Sequence, residues 1–255
     1  MRQIHDEELN VKKRSLFAAT LALCIAVALP AGCFGQSKAG GFGIAVDAGT
    51  LGAGIQAAAG VASKSNVRFG FNYFKYDASF TKSSDNIKFN GSLKLESAEL
   101  LFDQYIAGGL HISAGTVVYD GNKGTATASV PAGQTFTLNN ALYYSASADP
   151  VNGTGAITAR KVAPEILIGI GNLVPRSNRH FTANFEVGVA FQGSPNAKLN
   201  LSGSTCLVSG AVGCATIASN PLVQANIQAE QNKINSDLAP FKYYPIVRFS
   251  FGYKF

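Results

Sequence analysis

Two side chains near the middle of the chain could in principle perform nucleophilic chemistry. His111 and Ser113 are separated by one residue. A histidine can accept the proton of a serine hydroxyl and so activate its oxygen. In a strand, residues two apart share a face, so both side chains would point the same way. We favour the alternative that both line a polar interior, and we expect no catalytic residue and no enzymatic activity.

A pair of cysteines is the second candidate for chemistry. Cys206 and Cys214 lie eight positions apart in a segment rich in Gly, Ser and Val. In an oxidising, exported compartment such a pair is expected to form a disulfide. A metal site would need further ligands, and no His or acidic residue lies beside the two cysteines. The sequence therefore predicts no metal and no cofactor.

The N-terminal region has the pattern of an export signal. Residues 12–14 are basic, residues 16–29 form an uncharged apolar run, and small residues follow. We predict that residues 1–39 are a signal peptide that is cleaved, leaving one domain over residues 40–255. An uncleaved anchor helix is an alternative, although the run is short for a membrane span. Lipidation at Cys33 is another, although Pro30 stands where such signals prefer Leu.

Composition narrows the class of the remaining chain. Only 14% of the 255 residues are charged, against about 25% in ordinary soluble domains. Beyond the N-terminal region, no unbroken apolar run reaches the ~18 residues of a membrane helix. Residues 40–255 carry 16 Lys and Arg and 12 Asp and Glu, scattered rather than clustered. These observations leave a β-rich domain as the class of residues 40–255, with no cluster of basic residues of the kind that binds nucleic acid.

Apolar and polar residues alternate along most of residues 40–255. Between positions 181 and 192, for example, Phe185, Val187 and Val189 alternate with Glu186, Gly188 and Ala190. Such alternation is typical of strands, and segments of ~9–12 residues can cross a bilayer when tilted. The polar faces are poor in Lys and rich in small residues, which fits a crowded interior better than a wet surface. Lipid cannot satisfy a bare sheet edge, so a membrane sheet must close into a barrel.

We therefore predict an all-β, transmembrane, antiparallel up-and-down β-barrel. Short connections alternate with long ones, and the long external loops are 121–160 and 193–240. The eight predicted strands are residues 42–48, 51–61, 66–76, 92–105, 110–120, 162–172, 181–192 and 244–255.

The number of strands depends on two ambiguous segments. The apolar parity switches around Gly49, which either a tight turn or a one-residue bulge would explain. A bulge would merge the first two strands, and a hairpin from residues 125–130 and 135–138 could then join the barrel. Ten strands is thus an alternative to eight. A second change of parity predicts a bulge near Glu96 in the fourth strand.

One helix is expected in the last long loop. Asn220 can cap it, Pro221 suits its first turn, and Pro240 should end it. It could cover the mouth of an eight-stranded barrel, whose interior is filled by side chains. In a barrel of ten or more strands it could instead enter the interior.

Charged residues of both signs fall on the faces that should point inward. In a narrow interior they must pair, because an unpaired buried charge is costly. Two interpretations stay open: an ion-paired plug that keeps the barrel shut, and a narrow pore gated by rearrangement of the pairs. The predicted charge network comprises Asp47, Arg68, Lys94, Glu99, Asp103, Glu165, Glu186, Arg248 and Lys254.

The C-terminal segment carries a resemblance to a known family. Residues 244–255 alternate aromatic and polar side chains and end in Phe255, and this resembles the last strand of bacterial outer-membrane β-barrels. Arg248, Tyr253 and Phe255 match the assembly signal of that strand, while Ser250 stands where Gly is usual. Four further stretches resemble small OmpA/OmpW-like barrels of unassigned role: residues 50–56, 162–169, 191–195 and 241–245.

The resemblance implies the outer membrane of a Gram-negative bacterium. The partners it implies are outer-membrane lipid and, during biogenesis, the barrel-assembly machinery and periplasmic chaperones. Some outer-membrane lipid deacylases use a His-x-Ser pair, but the residues flanking His111 and Ser113 do not match theirs. We expect a structural role or passive transfer of small solutes of unknown identity. The alternatives are a surface adhesion or binding module built from the long loops and, third, a soluble exported β-sandwich.

Overall fold

The computed structural model describes residues 40–82, 87–207 and 213–255. The predicted signal peptide therefore lies outside the described residues. Residues 40–255 form one unit, built almost entirely of strands. The strands are β1 Phe42–Gly49, β2 Gly52–Ala62, β3 Ser65–Lys82, β4 Ile87–Ala107, β5 Leu110–Asp120, β6 Lys123–Ser129, β7 Thr135–Leu138, β8 Ala141–Ser145, β9 Asn152–Thr158, β10 Ala163–Gly171, β11 Phe181–Ala190, β12 Asn196–Ser202, β13 Ser204–Cys206, β14 Ala215–Thr216 and β15 Tyr244–Lys254. A helix, α1, spans Pro221–Leu238, and short 3₁₀ turns span Ile217–Ser219 and Ala239–Lys242.

Eight strands close into an antiparallel up-and-down ring. Their order around the ring is β1, β2, β3, β4, β5, β10, β11 and β15, and β15 pairs with β1 to close it. The ring excludes a β-sandwich and confirms the predicted barrel. We call the end of the ring that carries Gly40 and Phe255 the turn end, because the connections there are short. The opposite end is the cap end.

The alternation in sequence becomes an alternation between the outside and the inside of the ring. In β10, Glu165 and Leu167 are buried, whereas Ile166, Ile168 and Ile170 are 46–67% exposed. Apolar side chains therefore point outward and charged ones inward, the reverse of a soluble protein.

The parity change at Gly49 is a tight turn and not a bulge. Gly49 pairs with Gly52, and residues 50–51 connect β1 to β2 at the cap end. The first two strands are therefore separate, and eight strands complete the ring. The bulge predicted near Glu96 in the fourth strand is not found there, because β4 stays in unbroken register with β3 through Glu96. The register between β4 and β5 does shift at Ala98 and Glu99, but the extra residue, Val118, belongs to β5.

The hairpin of β3 and β4 is longer than the sequence indicated. Residues 80–91, predicted as a loop, belong mostly to the two strands, which stay paired out to Lys82 and Ile87. Beyond the ring, the outer part of β4 pairs with β6, and β9 and β12 extend this sheet. Residues 125–130 and 135–138 thus form strands outside the ring, so the ten-strand alternative is wrong.

The outer parts of β3 and β4, with residues 121–162, 191–207 and 213–243, form a folded region that we call the cap. A second sheet in the order β14, β13, β8, β7 packs there. The buried core of the cap consists of Ile87, Val130, Leu138, Tyr143, Val151, Ile217, Val223 and Ile227. The two predicted long loops are therefore a small folded layer with a core of its own.

The helix begins and ends where the sequence predicts. The Asn220 side chain accepts hydrogen bonds from the backbone N–H groups of Leu222 and Val223, which caps the first turn. Pro221 is the first helical residue, and Pro240 lies in the 3₁₀ turn that follows. Within the described chain, none of the helices combines the length and the apolar character needed to cross a membrane.

Candidate functional site

The centre of the barrel holds Arg68, which joins strands on opposite sides of the ring. Arg68 lies on β3 and Glu186 on β11, four strands away in either direction. The Arg68 Nη1 atom donates to Glu186 Oε2 at 2.7 Å, and Nη2 contacts Glu186 Oε1 as well. Nη2 also donates to Asp103 Oδ1 at 3.0 Å. Arg68, Glu186 and Asp103 are almost completely buried, so the guanidinium fills the interior at this level.

A second arginine crosses the interior between another opposite pair of strands. Arg248 on β15 donates from Nη2 to Glu99 Oε2 at 2.6 Å, and Glu99 lies on β4, again four strands away. Nη1 of Arg248 lies 3.5 Å from Glu186 Oε2. Glu186 therefore links the two arginines into one network that spans the barrel in two directions.

His111 and Ser113 belong to the same network, and each lies within hydrogen-bond distance of a carboxylate. Ser113 Oγ donates to Asp103 Oδ1 at 2.7 Å, while His111 Nε2 lies 3.2 Å from Glu186 Oε1. The other ring nitrogen of His111 lies 3.0 Å from the Gly109 carbonyl oxygen. Both neighbours of the ring are acceptors, so the imidazole satisfies both only when each nitrogen carries a proton. The network then contains three cations and three carboxylates.

Two further predicted residues are buried inside but stay outside this network. The carboxyl oxygens of Asp47 and Glu165 accept no hydrogen bond from the described residues, although each side chain is more than nine-tenths buried. They lie on β1 and β10. The interior therefore has an excess of acceptors beyond the balanced network.

The remaining two predicted members are not in the interior. Lys94 lies above the ring, where β4 pairs with β6, and its half-exposed ammonium pairs with Glu96. Lys254 is at the turn end, where its Nζ donates to the Ser177 carbonyl oxygen at 2.9 Å. Strand parity gives the face of a residue, but it does not tell whether the ring still surrounds that residue.

Sequence reasoning missed Arg176, which closes the turn end. It lies in the connection between β10 and β11, and its Nη2 donates to the Ser65 carbonyl oxygen at 2.8 Å while Nη1 donates to Asn66 Oδ1 at 2.9 Å. A Cβ atom at Gly60 would lie 3.1 Å from this guanidinium, so the glycine leaves room for it. Burial lowers the pKa of Arg176 from its usual value. Because Arg176 lies in a connection and not in a strand, no period-two alternation in the sequence marks it as a residue that contacts the ends of neighbouring strands.

Apolar residues fill the rest of the interior beside the network. Leu101, Leu167 and Ile246 are at most 2% exposed and point inward. With Leu51, Val117, Ala163 and Ala190 they form one buried cluster. Along β4, Leu101 lies between Glu99 and Asp103, so the apolar cluster and the ion pairs interleave and together fill the tube, as expected for eight strands.

The cap holds the two cysteines. Cys206, on β13, and Cys214 are joined by a disulfide with an S–S distance of 2.00 Å. Across the described segments, no cluster of three or more His, Cys, Asp and Glu residues is arranged to hold a metal ion.

Comparison with known proteins adds information at the level of the fold. No protein-family model matches the chain, and no curated protein matches it either. Among solved structures, CarO of Acinetobacter baumannii is similar with a TM-score of 0.51 and 21% identity, over 84% of this chain and 97% of that one. CarO2 of the same organism is similar with a TM-score of 0.53 and 18% identity, over 86% of this chain and all of that one. The chain thus has an eight-stranded, antiparallel up-and-down fold similar to the CarO barrels.

Proposed function

We propose that this protein is a β-barrel of the bacterial outer membrane in which the tube is a closed anchor and the external cap is the working part. The observation that carries the proposal is the reversal of the ring: large apolar side chains face outward and an ion-paired network faces inward. Soluble proteins rarely expose apolar patches beyond a few hundred Å². The exposed residues of the band include Ile44, Val46, Ile55, Phe69, Phe71, Phe102, Ile112, Ile166, Ile168, Ile170, Phe185, Val187, Val247, Phe249 and Phe251.

A closed tube fits better than passive transfer through an open one. Two arginine–carboxylate pairs join opposite strands across the interior, and an apolar cluster fills the space beside them. A solute would have to break buried ion pairs to pass, which costs several kcal/mol for each uncompensated charge (about 3–5).

A binding role of the cap is supported by its construction. Flexible loops would suffice to connect the strands, yet the cap has two sheets, a core of its own and a disulfide. Ordered structure of this extent at the outer end of a closed tube fits a surface that recognises something outside the cell.

A narrow, gated pore is the second candidate, and the unpaired carboxylates favour it. Asp47 and Glu165 could accept an arginine side chain that leaves its present partner, because the carboxyl oxygens of both accept no hydrogen bond from the residues that the structure describes. Such an exchange would open a path without leaving a guanidinium unpaired.

The C-terminal assembly signal extends the proposal to biogenesis. Arg248 is buried and bonded to Glu99, whereas Phe255 is exposed at the end of β15. We propose that the assembly machinery reads Arg248, Tyr253 and Phe255 while the strand is still unfolded, and that periplasmic chaperones protect it until then. Deletion of Phe255 should lower the amount of folded barrel in cells more than it lowers the stability of barrel refolded in detergent.

Extraction and conductance test the main proposal. The protein should stay in the membrane pellet after a carbonate wash, and its gel mobility should change on boiling. Protease added to intact cells should cut within the cap, and planar bilayers should show no steady conductance. Release by carbonate would contradict the membrane location, whereas steady conductance would overturn the closed tube and favour the pore.

A further inference from the structure

The cap contains a cavity of about 860 Å³. Its floor is the sheet of β4, β6, β9 and β12, and its roof is the β7–β8 hairpin together with α1. Ligand pockets in proteins commonly measure about 300–1,000 Å³, so the cavity has the size of a site for a small molecule.

Small residues in the two central strands of the floor create the space. Ala128 of β6 pairs with Phe89 of β4 on one side and with Gly153 of β9 on the other, and Gly153 pairs with Leu201 of β12. Paired residues of an antiparallel sheet have their side chains on the same face. The large side chains of Phe89 and Leu201 therefore lie at the two margins of the floor, and the small Ala128 and Gly153 lie between them. The small residues of the floor are Gly124, Ala126, Ala128, Gly153 and Gly155.

The glycines of the floor are not required by close packing. A Cβ atom at Gly155 would have no neighbour nearer than the Lys198 carbonyl oxygen at 3.9 Å, and one at Gly153 would lie 3.8 Å from Ala128. By contrast, a Cβ atom at Gly188, in the barrel wall, would lie 2.2 Å from a backbone oxygen. Larger residues would fit at the floor, so its glycines leave volume open that the fold could have filled.

The roof is held in position by polar contacts to α1. Asn139, at the turn between β7 and β8, donates its backbone N–H to Glu230 Oε2 at 3.1 Å and its side-chain Nδ2 to Asn226 Oδ1 at 2.9 Å. Asn139 and Asn140 both have positive φ, as a two-residue hairpin turn requires.

The same helix holds the floor. Gln231 Oε1 accepts from the Leu199 backbone N–H at 3.0 Å, and Asn235 Oδ1 accepts from that of Ala197 at 2.7 Å. These bonds satisfy the free edge of β12. Floor and roof are therefore fixed to successive turns of one helix, and hydrogen bonds keep the two walls apart.

The lining determines the class of ligand. Only two of the lining residues are charged, Glu230 and Lys198. The Glu230 carboxylate already accepts the hydrogen bond of the Asn139 backbone N–H. Lys198 is exposed, and because it is adjacent to Leu199 in β12, its side chain lies on the opposite face of the strand. Leu142 and Ile157 line the cavity and are 56% and 38% exposed, so apolar side chains border its entrance. A charged ligand would lose its hydration without gaining a partner.

We infer that the cap cavity binds one uncharged, largely apolar small molecule that enters past Leu142 and Ile157. The inference rests on the proposed role of the cap and gives that role its ligand class. Burial of the ligand's apolar surface supplies the affinity, and the hydrogen-bonded walls spare the protein the cost of opening the site.

The absence of tryptophan from the chain allows a direct test. A Phe136→Trp variant of the full-length protein in detergent micelles places one fluorophore in the roof. Bromonaphthalene, a neutral apolar quencher, is the probe. Because the probe also enters micelles, Phe251→Trp on the outward face of the barrel serves as the reference for partitioning into detergent.

Matched glycine variants then test the position of the site. Gly155→Leu, made in the Phe136→Trp background, fills the cavity. Gly91→Leu is the control, since Gly91 lies on the same sheet face with similar free space but does not line the cavity. Gly153→Val provides a second filling variant if Gly155→Leu alters the protease pattern of the cap.

We expect saturable quenching in Phe136→Trp and only a linear, unsaturable decrease in Phe251→Trp. Filling the cavity should weaken binding by roughly tenfold or more, about 1.4 kcal/mol, whereas Gly91→Leu should leave it unchanged. Bromonaphthoate, the anionic counterpart, should bind at least about tenfold more weakly because its carboxylate finds no partner.

Three results would overturn the inference: linear quenching in Phe136→Trp, saturable quenching that both filling variants leave unchanged, or equal binding of bromonaphthoate. Such a failure is distinguishable from failure of the proposed function. If protease cuts the cap on intact cells and the barrel does not conduct, but the cap binds no bromonaphthalene, the proposed function still stands and only the inference about the ligand fails.

Discussion

Arg68 and Glu186 lie on strands opposite each other in the eight-stranded ring, and their charged groups meet at 2.7 Å in the middle of the tube. Arg248 and Glu99 do the same between β15 and β4. The two pairs thus connect four different strands across the interior, and they add contacts through the centre of the tube to the backbone hydrogen bonds of its wall.

Removal of one arginine should destabilise the barrel strongly. Arg68→Met leaves Glu186 and Asp103 buried without their main partner, and the free energy of unfolding should fall by about 3–5 kcal/mol. The measurement is the urea dependence of the heat-sensitive gel shift. Lys75→Met is the control, since the Lys75–Asp77 pair is exposed and should contribute only about 0–1 kcal/mol. Equal effects of the two substitutions would contradict the role of the central network.

Loss of both crossing pairs should open the tube. Arg68→Ala combined with Arg248→Ala removes the two side chains that span the interior and leaves five buried carboxylates: Asp47, Glu99, Asp103, Glu165 and Glu186. We expect discrete conductance steps in planar bilayers with preference for cations, against silence of the unmodified protein. If the double variant inserts and stays silent, the ion pairs are not what closes the barrel.

Neutralising the unpaired carboxylates should have the opposite effect on stability. Glu165→Gln and Asp47→Asn remove carboxyl groups whose oxygens accept no hydrogen bond from the described residues, and each should stabilise the barrel by about 1–3 kcal/mol at a pH where the carboxyl is ionised. Glu99→Gln is the matched control, because it removes the partner of Arg248 and should destabilise. Urea unfolding of the three variants in one detergent gives the comparison, and destabilisation by Glu165→Gln would show that its charge has a partner in solution.

The disulfide should stabilise the cap alone. Replacing Cys206 and Cys214 by Ser releases a short loop, which should cost the cap about 2–3 kcal/mol on loop entropy. Limited proteolysis should cut the cap faster, while the boiling-dependent mobility of the barrel stays unchanged. Loss of that mobility shift would mean that the barrel itself depends on the bond.

Period-two alternation was sufficient to predict the ring. The bounds of β5 agree with the prediction at both ends, and α1 begins at the predicted cap. Successive side chains of a membrane-barrel strand face lipid and the interior in turn, so the alternation of hydrophobicity in the sequence is strong wherever large apolar residues alternate with polar ones.

Contacts across the interior could not be predicted in the same way. Alternation places Arg68 and Glu186 inside but cannot tell which carboxylate on seven other strands each arginine meets, because that depends on strand stagger. Lys94 shows a related limit. The prediction placed it inside because it assumed a bulge near Glu96, but β4 stays in unbroken register with β3, so Lys94 has the outward parity of Leu100, and the ring has also ended at its height. The outer strands β6 and β9 carry Gly, Ala and Thr with little alternation of hydrophobicity. The sequence therefore predicted β6 only as part of an extra hairpin of the ring, and it predicted no strand at β9.

Strand β4 runs without interruption for 21 residues, paired with β5 in the wall and with β6 in the cap. Because β4 is a continuous strand across the boundary between the ring and the cap, without a hinge in its described residues, the cap cannot rotate relative to the ring about this strand. On the proposed role of the cap, a bound molecule would thereby stay at a constant distance and angle relative to the ring, and a force on it would pass along the hydrogen-bonded backbone of β4 into the barrel wall.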